Sequence, residues 1–283
     1  MDDRPGFEIR FSDGGILALG AVTRVMGVLN ATPDSFAHGG RHMDPVAAVD
    51  AMQRMLAEGA DLVDVGGEST RPGAEPVAVD EEIARVVPVI EAIKARSSVR
   101  VSVDTSKAAV ARRALDAGAD LVNDVSALAD PDMLPLIRER RVPAVLMHMR
   151  GTPKTMQHDT AYREIVEEVA AFLDRAVQRA VDAGIPDGKI LVDPGLGFGK
   201  SPQGNLAILR RLSVLARVGR PILIGASRKS FVGFVSDLPV EERLEGSLAV
   251  AAYACARGVH VIRAHDVGAT VRVVRMIDAI RAA

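Results

Sequence analysis

Eight short runs of apolar and β-branched residues recur along the 283-residue chain. They begin at Val25, Leu62, Val99, Leu121, Ala144, Ile190, Pro221 and Val259. Such runs are typical of strands that are buried on both faces, as in a parallel sheet covered by helices. Segments with helical periodicity lie between them, and this alternation defines an α/β fold. Eight such units over this length predict a (β/α)8 TIM barrel, a fold of about 250 residues.

Three of the intervening segments, residues 45–60, 79–95 and 162–184, have amphipathic helical patterns, and two of the three close on Gly. An open, doubly wound sheet is the alternative α/β architecture. No G-x-G-x-x-G follows the first run, however, and no linker rich in Pro, Gly or Ser divides the chain. We therefore predict a single domain over residues 1–283, in which residues 1–20 form an N-terminal β-hairpin.

The composition excludes several classes of partner. A formal net charge of -2 and 3% aromatic residues provide neither the positive patch nor the stacking surfaces that nucleic-acid binding uses. No apolar run approaches the length of a membrane span, and the first twenty residues do not resemble a signal peptide. We expect a cytoplasmic protein with no nucleic-acid or membrane partner. Cys255, the only cysteine, is expected to be buried in a helix.

The stretch ILVDPGLGFGKS, residues 190–201, ends like a nucleotide-binding P-loop. That motif requires four residues between its first Gly and the Gly-Lys-Ser, so that backbone N–H groups surround a phosphate. Pro194 stands where the first Gly should be, and proline has no N–H to donate. We therefore interpret the stretch as a buried strand that ends at Asp193, followed by a glycine-rich loop.

Polar residues collect where the predicted strands end. A single carboxylate at a strand end is usually a helix cap or a salt-bridge partner, whereas the same behaviour in every unit indicates a shared pocket. In a barrel, the carboxyl ends of all eight strands surround one mouth, where such enzymes place their active site. The residues are Asn30, Gly66 to Ser69, Asp104, Asn123, His148, Asp193, Ser227 to Lys229, Arg263 and His265.

Three of these side chains, Asp104, Asn123 and Asp193, form an acceptor-rich group. A carboxylate accepts two parallel hydrogen bonds from an amidine-like or guanidine-like edge, so the group suits an aminopyrimidine ring. For Asp104 alone, an N-cap of a helix that begins near Ser106 is the alternative interpretation. Capping is less natural for Asp193, because Pro194 follows it.

A second group is cationic and follows the last two strands. Lys229, Arg263 and His265 predict an anion clamp, because barrels often hold phosphate after their seventh and eighth strands. Asn30, on the opposite side, would offer a neutral oxygen to Mg²⁺, with substrate phosphates completing the coordination shell. Arg228 is interpreted as a surface charge without a role.

Eight sequence blocks resemble the dihydropteroate synthase family in their order and spacing, from about Val25 to the end of the chain. The blocks are NATPDSF, DVGGESTRPGA, VDTSK, NDVSA, LMHMRGTPKTMQ, DPGLGFGK, GASRKSF and RAHDV. The resemblance implies a TIM barrel that joins p-aminobenzoate to 6-hydroxymethyl-7,8-dihydropterin pyrophosphate in folate biosynthesis. It also implies Mg²⁺ as the cofactor, a homodimer, and an enzyme of the class that sulfonamides target.

The resemblance assigns roles to individual residues. Catalytic roles fall to Asn30, Asp104, Lys229, Arg263 and His265, with Asn30 as the metal ligand. The pterin would be held by Asp104, Asn123, Asp193 and Lys229, and the pyrophosphate by Asn30, Arg263 and His265. Residues 32–36 would close over the site as a lid. The further residues assigned to substrate binding are Thr70, Arg71, Pro72, Met147, Phe198 and Ser230.

This chain departs from the family pattern at two places. Ala37 and His38 stand where the family commonly has Ser-Asp, which affects the lid or the affinity for p-aminobenzoate. Gly204 replaces a His and is interpreted as structural, at a helix start. His38 and His42 are four residues apart, but a glycine-containing loop without an intervening Glu argues against zinc.

Two alternatives to the synthase remain. A pterin-binding methyltransferase that serves a corrinoid would share the carboxylates, but it would not need the SRKS, RAH and ESTRPG segments, because no pyrophosphate departs. A non-catalytic pterin-binding paralogue would be expected to lose residues of the anion clamp, and none is lost here.

Overall fold

A computed structural model describes residues 4–32 and 44–283 of the chain. Within this part, the strands are β1 (Phe7–Arg10), β2 (Ile16–Leu19), β3 (Arg24–Asn30), β4 (Leu62–Gly66), β5 (Arg100–Asp104), β6 (Leu121–Asp124), β7 (Ala144–Met147), β8 (Ile190–Asp193), β9 (Leu223–Gly225) and β10 (Val261–Ala264). The helices are α1 (Pro45–Ala57), α2 (Val79–Lys94), α3 (Ala108–Asp116), α4 (Met133–Arg140), α5 (Ile165–Asp182), α6 (Pro202–Arg210), α7 (Leu212–Ala216), α8 (Ser230–Ser236), α9 (Leu244–Ala256) and α10 (Val267–Ala282).

The strands β3 to β10 form one parallel sheet in the order β8-β7-β6-β5-β4-β3-β10-β9. A parallel bridge between Val192 and Ile222 connects the two edge strands. The sheet therefore closes on itself, with the helices outside it. The predicted (β/α)8 barrel is confirmed, and the open-sheet alternative is wrong.

The predicted N-terminal hairpin is also confirmed, since β1 and β2 pair antiparallel, with Phe7 opposite Leu19. Ile9, Phe11 and Leu19 pack against an apolar layer inside the barrel. The members of that layer lie at the amino ends of the strands: Met26, Leu62, Leu121, Val145, Leu191, Leu223 and Val261. The hairpin thus covers the end of the barrel opposite the predicted mouth.

Side chains inside the barrel change character along each strand. In β4, Leu62 belongs to the apolar layer, and Asp64, two residues later on the same face, is fully buried. Val63 and Val65 instead belong to the main core that includes the helices, because successive strand residues face opposite sides. The same change from apolar to polar occurs from Leu121 to Asn123, from Leu191 to Asp193 and from Val261 to Arg263.

The helix ends follow local sequence signals. Asp44 precedes α1, and its side chain accepts a hydrogen bond from the Val46 N–H at 3.1 Å. Gly59 and Gly184 follow α1 and α5 with φ values of 101° and 89°, the left-handed conformation expected at these ends. Cys255 is buried in α9, as predicted. Among the described helices, none has the length and hydropathy needed to cross a membrane.

Candidate active site

One guanidinium joins two carboxylates in the barrel interior. The Nε of Arg263 donates to Asp64 Oδ2 at 2.6 Å, and its Nη2 donates to Asp104 Oδ2 at 2.7 Å. Asp64 is fully buried and Asp104 is 9% exposed. Because a buried charge is costly without an opposite charge, Arg263 acts as the counter-ion that permits both carboxylates here.

Two oxygens of this network lack a partner. Asn123 donates its Nδ2 to Asp64 Oδ2 at 3.0 Å, so that single oxygen accepts from two side chains. Within the described part of the chain, the Oδ1 atoms of Asp64 and Asp104 are buried and receive no hydrogen bond. A buried acceptor left unpaired costs about 1–3 kcal/mol, and a ligand that donates N–H groups would remove that cost.

Burial changes the pKa values of the charged groups in the mouth. It raises the pKa of Asp104 above the ordinary value; the Arg263 charge opposes this change and the Asp64 charge adds to it. Burial likewise raises the pKa of Asp193, against the effect of the Lys229 charge. It lowers the pKa of Lys229 to about 8. A ligand that donates N–H groups to ionised carboxylates would reverse the shifts of the two acids.

Asp193 and Lys229 lie on the side of β8 and β9. Asp193 Oδ1 accepts the N–H of Gly195 at 2.6 Å, which fixes the first turn of the loop after β8. Lys229 Nζ donates to the carbonyl oxygen of Leu196 at 2.6 Å and lies 4.4 Å from the centre of the Phe198 ring. The lysine that follows β9 is therefore held by the loop that follows β8.

An apolar surface adjoins these polar groups. Val125, Met147, Met156 and Phe198 form a small buried cluster of their own. Met147 ends β7 and Phe198 lies in the loop after β8, next to the Lys229 ammonium. The two apolar residues predicted to contact substrate thus lie together, beside the Lys229 ammonium.

The loops after β9 and β10 are joined on the cationic side. His265 is exposed, and its Nδ1 lies 3.1 Å from Ser227 Oγ. Arg228 donates through Nε and Nη2 to the two oxygens of Asp266, both at 2.8 Å, and its backbone is left-handed with φ 54°. The interpretation of Arg228 as a surface charge without a role is therefore wrong. Its ion pair with Asp266 connects the loop that contains Lys229 to the loop that contains His265.

The loop between β4 and α2 contains three predicted substrate residues, Thr70, Arg71 and Pro72. Its base is fixed by Glu68, whose Oε2 accepts from Lys107 Nζ at 2.5 Å and from the Val77 N–H at 2.7 Å. Its tip touches the loop after β7, since the Gly73 N–H donates to Pro153 O at 3.0 Å. The loop extends from the carboxyl end of β4 towards the carboxyl end of β7.

The remaining predicted residues also lie at this end of the barrel. Asn30, the half-buried last residue of β3, lies opposite Gly66 in the sheet. Ser230 is exposed at the start of α8. Desolvation, together with the charges of Arg263, Arg71 and Lys229, lowers the pKa of His265 to about 4. His148, which follows β7, is buried. The predictions for residues 33–36 of the lid, Ala37, His38 and His42 fall outside the described residues and stay predictions.

The N-cap alternative for Asp104 is wrong. Helix α3 begins at Ala108 after Lys107, and the Asp104 side chain bonds to Arg263 instead. Gly204 agrees with its structural interpretation: it lies in the first turn of α6, its N–H donates to Ser201 Oγ at 3.1 Å, and an added Cβ would lie 2.6 Å from Ile165 Cδ1.

Sequence reasoning missed Asp64 and Lys200. Asp64 lies in the middle of an apolar run, not at its end, yet it binds two residues of the predicted site. A charged residue inside a strand that is apolar on both sides of it was the available signal. Lys200 ends the block DPGLGFGK, and the sequence assigns it no role of its own. It is 2% exposed, and burial lowers its pKa to about 7.

The fold and the site together define a β/α-barrel enzyme that binds a flat nitrogen heterocycle beside a cationic cluster. The family model described as "Pterin binding enzyme" matches residues 26–265. The chain is 46% identical over 255 residues to the dihydropteroate synthase of Escherichia coli (strain K12), covering 90% of each.

The solved structures that are similar to this one include two dihydropteroate synthases. The Yersinia pestis dihydropteroate synthase with a sulfonamide drug complex has a TM-score of 0.91 and 44% identity, over 98% of this chain and 99% of that one. The Xanthomonas albilineans dihydropteroate synthase with 4-aminobenzoic acid has a TM-score of 0.90 and 44% identity, over the same shares. The chain belongs to the dihydropteroate synthase family.

Proposed function

We infer that this protein condenses 6-hydroxymethyl-7,8-dihydropterin pyrophosphate with p-aminobenzoate, giving dihydropteroate and pyrophosphate in folate biosynthesis. The observation that carries this inference is the pair of buried carboxylate oxygens, Asp64 Oδ1 and Asp104 Oδ1, that no described residue satisfies. They lie in a barrel mouth that also presents an apolar wall and several cations. A pterin with a pyrophosphate group matches all three features.

We propose that Asp104 and Asp193 accept hydrogen bonds from the edge of the pterin ring and that the Asn123 amide completes this contact, while Phe198 and Met147 pack against the face of the ring. Ionised carboxylates are acceptors only, so they select a ring edge that shows N–H donors. Lys229 would reach the ring from the side of the Phe198 ring, where the structure holds its ammonium. The polar and apolar contacts together fix the ring in one orientation.

The pyrophosphate is assigned to Arg263 and His265, with Asn30 as a ligand of Mg²⁺. The described residues contain no group of three His, Cys, Asp or Glu side chains that could hold a metal ion by themselves. An ion at Asn30 would therefore need substrate oxygens and water, which is the usual arrangement for Mg²⁺ with phosphates. When bound, the ion would supply positive charge that neutralises the departing pyrophosphate.

The chemistry needs one bond to break and one to form. The bond between the exocyclic methylene carbon and the pyrophosphate oxygen breaks, and the electron pair leaves with pyrophosphate, whose charge Arg263 and His265 stabilise. The electron-rich dihydropterin ring supports the cation that remains on the methylene. The amine nitrogen of p-aminobenzoate then forms the new C–N bond and releases a proton, without a covalent enzyme intermediate.

The second substrate is assigned to the outer part of the mouth. Ser230 and the loop with Thr70, Arg71 and Pro72 would receive p-aminobenzoate; the predicted lid role of residues 33–36 lies outside the described residues. A closed loop excludes water from the methylene cation, which protects it from hydrolysis. The hydrogen bond from Gly73 to the loop after β7 supports this arrangement, because it brings the assigned loop across the mouth.

A turnover assay tests the function. The protein is mixed with Mg²⁺ and the pterin pyrophosphate, and pyrophosphate release is followed with and without p-aminobenzoate. We expect continued, multiple-turnover release to depend on the amine, because the amine consumes the methylene cation, and dihydropteroate to accumulate in an amount equal to the amine-dependent pyrophosphate. A protein that binds the pterin but shows no amine-dependent release would instead be the non-catalytic paralogue.

We also propose a homodimer that forms through the last three helices. Large apolar side chains are exposed on and near α8, α9 and α10, namely Phe234, Val235, Leu238, Val240, Tyr253, Met276 and Ile280. A second copy of the chain would cover these side chains and remove their apolar area from water. Light scattering at micromolar concentration should give twice the mass of one chain, and a monomer would contradict the proposal. The cytoplasmic location and the single-domain organisation stay predictions.

A further inference from the structure

The glycine-rich loop after β8, residues 194–199, is followed by Lys200, whose ammonium is occupied within the protein. Lys200 Nζ donates to the carbonyl oxygens of Gly195 at 2.8 Å, Phe198 at 2.9 Å and His148 at 3.2 Å. An ammonium has three protons, so these three bonds use all of them. The lysine of the motif therefore serves the loop itself and is not available to a phosphate.

The loop after β8 and the residues after β7 approach each other backbone to backbone. Gly195 has φ 66°, and a Cβ added to it would lie 2.0 Å from His148 O. Gly199 has φ 62°, and its added Cβ would lie 2.7 Å from Arg150 O. Only glycine permits these contacts, and Lys200 bonds to both segments at the place where they meet.

This loop in turn positions the residues assigned to the pterin. Its first turn binds Asp193, through the Gly195 N–H at 2.6 Å. Its middle holds Lys229, through Leu196 O at 2.6 Å, and presents Phe198 to the same ammonium. A change in the loop would therefore reach a carboxylate, a cation and an aromatic wall together.

We propose that Lys200 is a positioning residue for the pterin substrate: its ammonium fixes the loop 194–199 against residues 148–150, so that Asp193, Phe198 and Lys229 face the ring. The proposal rests on the proposed function. It assigns Lys200 no contact with either substrate. It also explains why the motif resembles a P-loop without its spacing, since the glycines serve backbone contact and the lysine serves backbone carbonyls.

The test compares Lys200→Met with Lys189→Met, a matched control. Lys189 Nζ also donates to two backbone carbonyls, those of Arg10 at 2.6 Å and Arg141 at 2.5 Å, but near the hairpin, away from the mouth. Both variants lose an ammonium that ties two segments together. Calorimetry measures the Kd of the pterin pyrophosphate well below each unfolding midpoint, and steady-state kinetics measure the KM of p-aminobenzoate at saturating pterin.

We expect Lys200→Met to raise the Kd of the pterin by roughly tenfold or more, equivalent to about 1.4 kcal/mol, while the KM of p-aminobenzoate changes little. Lys189→Met should leave both values unchanged, even if it loses stability. Equal effects of the two variants on the Kd, or no effect of Lys200→Met, would overturn the proposal.

Lys200→Gln keeps two N–H donors, so its Kd for the pterin should lie between those of Lys200→Met and the parent protein. Lys200→Gln also replaces Lys200→Met in the test if the Met variant does not fold. A Lys200→Gln protein that binds the pterin as the parent does would then overturn the proposal. The Kd does not require turnover. If the parent protein binds the pterin but fails the turnover assay, the proposed synthase activity is refuted. The Kd values of the variants still test the role of Lys200 in that case.

Discussion

Replacing Asp64 by Ala tests whether the buried network holds the site together. The change removes the acceptor of Arg263 Nε and of Asn123 Nδ2, at 2.6 and 3.0 Å. Asp61→Ala is the matched control, because Asp61 also accepts two bonds, from Arg24 Nη1 and the Val25 N–H, both at 2.8 Å. Asp61 directly precedes the same strand but lies at the opposite end of the barrel.

The two changes differ in burial, and the expected costs follow from it. The Asp64 side chain is 0% exposed and that of Asp61 is 25% exposed. Two hydrogen bonds to a charged group are worth about 3–6 kcal/mol together, and removal of the unpaired Oδ1 returns about 1–3 kcal/mol. The midpoints of these two ranges differ by about 2.5 kcal/mol, so we expect Asp64→Ala to lower the free energy of unfolding by roughly 2–3 kcal/mol. Water can replace Asp61, so its loss should cost no more than about 1–2 kcal/mol.

Urea unfolding measures the stability of both variants, and calorimetry measures their affinity for the pterin pyrophosphate. Asp64→Ala should lose stability and bind the pterin more weakly, because the unpaired Asp64 Oδ1 can no longer accept from the ring and because Arg263 and Asn123 are no longer fixed. Asp61→Ala should retain the affinity of the parent protein. Equal stability losses in the two variants, or full pterin affinity in Asp64→Ala, would refute the reasoning from burial.

Two further predictions concern other parts of the mouth. Burial raises the pKa values of Asp104 and Asp193, so pterin affinity should fall as the pH is lowered from about 8 to about 5, well above the ordinary Asp pKa of about 3.9. Calorimetry across this range should show a shallower fall in affinity for Asp104→Asn than for the parent protein. Identical pH profiles of the two proteins would contradict the assignment of Asp104. Glu68→Gln should raise the KM of p-aminobenzoate by roughly threefold to tenfold, because Glu68 fixes the loop between β4 and α2 through Lys107. The Kd of the pterin should not change in Glu68→Gln, and steady-state kinetics with calorimetry separate the two effects.

The sequence predicted the barrel because its signal is local and repeated. Each strand is an apolar run, and the observed strands lie within or within one residue of those runs, as in β5 from Arg100 to Asp104. Polar residues at the strand ends converge because every carboxyl end of a parallel barrel opens on one side. Arg263 and Asp104, 159 residues apart in sequence, could therefore be placed in one pocket before their contact was known.

The parts that were missed depend on contacts between distant segments. Asp64 lies two residues before the end of β4, and only the side to which it points makes it a partner of Arg263. The three carbonyls that Lys200 contacts come from two loops. Because every residue has a backbone carbonyl, the sequence does not indicate which of them accept a hydrogen bond. In the sequence, Arg228 cannot be distinguished from a surface arginine, because its two hydrogen bonds to Asp266 depend on the fold.

A crystal structure of the protein with the pterin pyrophosphate tests the central claim most directly. We predict that N–H groups of the ring lie about 2.7–3.2 Å from the carboxylate oxygens of Asp104 and Asp193, with the pyrophosphate beside Arg263 and His265. A ring bound elsewhere, or one that leaves both carboxylates without a hydrogen bond, would contradict it.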